Sequence, residues 1–75
     1  MALPAHLTPD RWLSQLFSSG PAAKGGVVRR SVRDVDHIVG RDRFVAELDR
    51  RGFRAVENAG TFVIFCNREP VVPVR

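Results

Sequence analysis

This chain is poor in the residues that build chemical sites. It has one cysteine, Cys66, so no intramolecular disulfide can form. Its two histidines, His6 and His37, show no metal-ligand spacing with each other or with Cys66. No carboxylate pair falls in an evident cleft, and no nucleophile has an identifiable base. A chain of 75 residues rarely builds an enclosed pocket alone. We therefore expect no enzyme, no catalytic residue, no metal and no other cofactor. No segment is long enough to cross a bilayer, and no membrane partner is expected. The start, Met1 to His6, lacks the basic region and apolar stretch of a signal peptide. A reducing cytoplasm is the simplest setting for a chain with a lone cysteine. Gly20 and Gly25 have the separation of a phosphate-binding loop, but Gly26 and Val27 stand where a lysine and a hydroxyl residue are required. That excludes nucleotide hydrolysis.

Acidic residues are also in short supply, eight against twelve basic ones, for a net charge of +4. Between Lys24 and Arg54 there are nine basic and five acidic residues, so this span holds the whole surplus. A phosphate-binding surface needs such a basic middle. Eleven of the twelve basic residues are arginine, which a GC-rich, bacterial genome would also produce, and mixed charge is ordinary solubilising surface. A domain this small buries only roughly 60% of its unfolded surface, which leaves a thin margin of stability.

The order of elements follows from breaks and periods. Residues 1–7 are expected to be a loose tail. Thr8-Pro9-Asp10 is a helix start with cap, first-position proline and acidic first turn. Trp12, Leu13, Leu16 and Phe17 form one apolar stripe behind it. Gly20 is read as a left-handed stop, and residues 21–26 as a flexible linker. Val27-Val28-Arg29-Arg30 reads as a strand. Ser31 with Asp34 begins a second helix by the capping-box rule, which buries Val32, Val35, Ile38 and Val39 and leaves His37 on the surface. Gly40-Arg41-Asp42 is a turn. The next helix is expected to bury Phe44, Val45 and Leu48 and to expose Arg43, Ala46, Glu47 and Arg50. Glu47 and Arg51 can pair across one helical turn. Gly52-Phe53 is a stop with its hydrophobic contact. Residues 53–57 alternate as a strand, Asn58-Ala59-Gly60 suits a hairpin turn, and Thr61 to Cys66 is apolar on both faces, as a central strand would be. Residues 68–75, with Pro70 and Pro73, are expected to be an extended tail.

Together these predict one α+β domain over residues 8–67, with helices near 9–18, 32–39 and 42–51 and a hairpin near 53–66. Its expected core is Trp12, Leu16, Phe17, Val35, Val39, Phe44, Leu48, Phe53, Val63 and Phe65.

The order helix, strand, helix, helix, strand, strand resembles the winged helix family. That resemblance implies that the strand before the helix pair joins the hairpin beside its last strand. It also implies that the second turn-helix enters a DNA groove while the hairpin lies along the backbone. Arg41, Arg43, Glu47 and Arg50 would then face bases or phosphates, with Arg54 serving the wing. The expected nucleic-acid-binding residues are Arg29, Arg30, Arg33, Arg41, Arg43, Arg50 and Arg54. The stretch from Arg51 to Phe65 also resembles HicA-type toxins, small RNA-cleaving proteins. Phe62 stands where that family has its catalytic histidine, which implies a non-catalytic relative.

The favoured expectation is a small accessory or regulatory protein that binds DNA or RNA. The alternative is a protein-interaction module that docks through Trp12, Leu16 and Phe17 or through a strand edge. The first helix either caps the chain's own core or pairs with a second copy, and a homodimer is expected.

Overall fold

The computed structural model describes residues 8–75; the tail expected over residues 1–7 lies outside them. Helix α1 spans Pro9–Ser18. The Thr8 hydroxyl caps it, accepting the Arg11 N–H at 3.2 Å. A short helical turn, α2, follows at Gly20–Ala23. Strand β1 is Val27–Ser31, α3 is Val32–Ile38, α4 is Arg41–Arg51, β2 is Arg54–Asn58 and β3 is Thr61–Phe65. Among the described residues this is an α+β domain with an antiparallel sheet of order β1-β3-β2. No helix in it is long and apolar enough to cross a membrane.

The local signals act as their chemistry requires. Ser31 ends β1 and also caps α3, its hydroxyl accepting the Asp34 N–H. Gly52 leaves α4 in the left-handed conformation at φ 75°, and the Phe53 N–H returns to the Leu48 carbonyl. That closes the orphan carbonyls of the last turn. β3 lies between β1 and β2, the central place its two-sided apolarity suggested. Asn58 pairs with Thr61, so Ala59 and Gly60 alone make the turn, at φ 50° and 76°. Both signs are positive, as a twist-matched two-residue hairpin demands.

Several expectations need correction. Residues 21–26 are not a bare linker. Ser19 is extended and ends α1, and Gly20 opens α2 instead of taking a left-handed stop. Pro21 sits in the first turn of α2, where its missing N–H costs nothing. Ala22 is buried, the Gly26 N–H donates to the Pro21 carbonyl, and the Asn67 side chain donates to the Gly25 carbonyl. On α4, Val45 is 47% exposed and Glu47 only 3%. Phe44, Glu47, Leu48 and Arg51 stand at intervals of three, one and three, so they form one inward stripe. Spacing overrode polarity there.

The third correction concerns β3. Phe62, Ile64 and Cys66 face the core; Val63 and Phe65 are on the other side and only half-buried. The core also takes Leu13, Leu16, Phe17, Ala22, Val28, Val35, Phe44 and Leu48. Trp12, Val39 and Phe53 pack at its margin and are not fully inside. The Phe44 and Phe62 rings meet at 5.1 Å, as do Phe17 and Phe53 at 5.6 Å. Cys66 is a core residue, and burial pushes its thiol pKa up.

Candidate nucleic-acid interface

The arginines fall into two groups that differ in what surrounds them. The first group converges on α4. The buried Glu47 carboxylate accepts from Arg43 at 2.9 Å, from Arg50 at 2.5 Å and from Arg51 at 2.6 Å. These partners sit at four residues before, three after and four after, the positions a helix brings together. The Arg43 guanidinium also reaches Asp10 in the first turn of α1, at 2.9 Å. Arg51 lies over the Phe17 ring at 4.4 Å, and its carbonyl accepts from Arg68. The network therefore bolts α4 to α1. Hydrogen bonds from Arg50, then Arg43 and Arg51, outweigh desolvation and hold the Glu47 carboxyl at a pKa of about 2. Arg41, at the start of α4, pairs with Asp36 at 3.3 Å and Glu57 at 3.4 Å, and lies over the Phe62 ring.

The second group is unpaired. Among the described residues, Arg29, Arg30, Arg33 and Arg54 make no ion pair. Arg29 and Arg30 are in β1 on opposite faces of the strand, and Arg33 is in the first turn of α3. These three lie within five residues, two on the edge strand β1 and one on the helix that follows it. Arg54 is on the other edge strand, opposite Phe65, at the end of the hairpin remote from its tip.

Of the seven arginines expected to bind nucleic acid, the fold thus leaves Arg29, Arg30 and Arg33 without ion pairs where β1 passes into α3, and Arg54 alone on the other edge strand. It neutralises Arg41, Arg43 and Arg50 with carboxylates. Glu47 is not a surface reader but the hub of that neutralisation, and Arg51 pairs with it as expected. The Glu47–Arg51 spacing was legible; that Arg43 and Arg50 share the same carboxylate was equally present in the spacing. Leu16 and Phe17, expected at a partner interface, are buried in the domain's own core, and Trp12 packs at its margin. Among the described residues, no group of three His, Cys, Asp or Glu side chains could hold a metal ion.

Compared with protein-family models, with curated proteins and with solved structures, the chain gives no match.

Proposed function

We propose that this domain is a small non-enzymatic nucleic-acid-binding protein, accessory or regulatory in role, that grips phosphates at the β1–α3 corner. The observation that carries the reading is a run of three arginines, Arg29, Arg30 and Arg33, that follow one another within five residues where the edge strand β1 passes into α3 and that make no ion pair among the described residues. An unpaired guanidinium can exchange its counterion for a phosphate, and release of that counterion drives binding. Arg43 and Arg50 would first have to leave Glu47. The element order, with β1 beside β3, supports the resemblance to the winged helix family. The contacting surface is the corner of β1 and α3 and not the helix that family uses, because α4 spends its arginines internally.

Salt-dependent binding of duplex and single-stranded probes tests this. Each phosphate contact adds roughly −0.9 to the log-log slope on a duplex. Arg30→Ala with Arg33→Ala should flatten the slope by about two contacts' worth, while Arg50→Ala should leave it nearly unchanged. No binding at low salt, or equal losses from both variants, would reject the reading.

A further inference from the structure

The two outer surfaces of this two-layer domain are complementary to one another. The first is the outward stripe of α4. Asp42, Val45, Ala46 and Asp49 recur at intervals of three, one and three, so they share one helical face. That face points away from the core, because Phe44, Glu47 and Leu48 point into it. Val45 is 47% exposed at its centre. Asp42 and Asp49 flank it and make no ion pair among the described residues.

The second surface is the outer face of the sheet. The registers place Val27, Phe65 and Arg54 in one row and Arg29, Val63 and Val56 in the next, with Ser31, Thr61 and Asn58 beyond. Val27 and Val56 are 44% and 43% exposed. The face bears two arginines and not one carboxylate. The buried strand residues Val28, Phe62 and Ile64 alternate with it and face the core, so among the described elements the helices lie on the other side.

From these two surfaces we propose that α4 of one copy docks on the outer sheet face of a second copy, head to tail. Charge selects this pairing over the two that would set either surface against itself. Sheet on sheet sets arginine against arginine, and α4 on α4 sets aspartate against aspartate. Only α4 on sheet puts both carboxylates against guanidinium groups with valines between them. The spans agree as well. Asp42 and Asp49 are seven helical residues apart, about 10 Å. Arg29 and Arg54 are two strands and two residues apart, roughly 12 Å. The two surfaces lie on opposite sides of the domain, so the contact is heterologous and repeats instead of closing into a pair. One helix on a three-stranded sheet is a small interface, and the association is weak. The inference does not rest on nucleic-acid binding. Arg29 belongs to both surfaces, so Arg30 and Arg33 report on the nucleic acid, and Asp42 and Asp49 report on assembly.

Sedimentation equilibrium of the full chain, without nucleic acid, over a wide concentration range is the test. The average mass should climb past two copies as concentration rises and fall as salt is added. Asp42→Lys with Asp49→Lys, and separately Arg29→Gln with Arg54→Gln, should each weaken self-association roughly tenfold or more. Mixed one to one, the two variants should form a species of two copies and stop there, since each brings one intact face. A wild-type chain that stays monomeric throughout, or whose mass levels off at two copies, overturns the proposal. So does a mixture of the two variants, both folded by circular dichroism, that stays monomeric.

Discussion

Glu47 and the outer sheet face handle the same residue type in opposite ways. Around Glu47, three arginines surround one buried carboxylate, and a second carboxylate, Asp10, ties Arg43 to α1. On the sheet, Arg29 and Arg54 stand among valines on a face without a carboxylate and, among the described residues, make no ion pair. The difference shows that counting basic residues does not locate a binding surface. An arginine committed to a buried carboxylate holds helices together, and only an uncommitted one has charge to offer a partner.

The largest effect should come from breaking the first region. Glu47→Ala leaves Arg50 and Arg51 without their carboxylate and Arg43 with Asp10 alone. Their own exposure, 68% for Arg50 and 42% for Arg43, lets water compensate in part. We expect a loss of about 2 kcal/mol, or a fall in Tm of roughly 8–16 °C for a domain of this size. Arg29→Ala and Arg54→Ala, by contrast, should change stability by less than about 0.5 kcal/mol. Thermal melts of the three variants check the contrast, and equal losses would erase it.

Acid should sharpen the same comparison. The Glu47 carboxyl has a pKa of about 2 in the folded chain against an ordinary value of 4.5. A depressed carboxyl stabilises the fold fully above its unfolded pKa, and that stability is lost as pH falls toward the folded value. The wild type should therefore lose stability between about pH 4.5 and 2. Glu47→Gln should show a shallower decline over that window while starting from a lower Tm. Parallel curves for the two proteins would mean that other groups carry the acid sensitivity.

A small effect of the opposite sign belongs to the sheet's backbone. Ala59 sits at φ 50° in the two-residue turn, a conformation that a side chain resists and glycine does not. Ala59→Gly should relieve that strain in the folded state and raise Tm by a few degrees, a gain below about 1 kcal/mol after the entropy of the unfolded glycine is counted. It alters neither arginine group, so nucleic-acid affinity and the Glu47 acid response should both stay as they are. A lower Tm would show that the turn is not strained at this residue.

Much of the architecture can be read from short segments. Thr8, Ser31 and Gly52 act as caps through hydrogen bonds to residues at most a few positions away, so their neighbours alone suffice to place them. The site was legible as a set of arginines but not as a surface. Free and committed arginines look alike in a sequence, and the ties from Asp10 to Arg43 and from Glu57 to Arg41 join residues far apart in the chain.

By itself, then, the sequence determined where α1, α3, α4 and the three strands lie to within about a residue, though not α2, that they form one α+β domain, and that β3 is central, because each depends on local hydrogen bonding or on apolar content. Only the tertiary structure decided which face of β3 is inside. Phe62 to Cys66 are all apolar, so alternation cannot tell the Phe62–Ile64 face from the Val63–Phe65 face; pairing with β1 and β2 and the packing of Phe44 on Phe62 break the tie. It also decided the state of each charge. A carboxylate becomes a hub when packing of α4 against α1 and the sheet removes water from it, and no sequence interval records that removal.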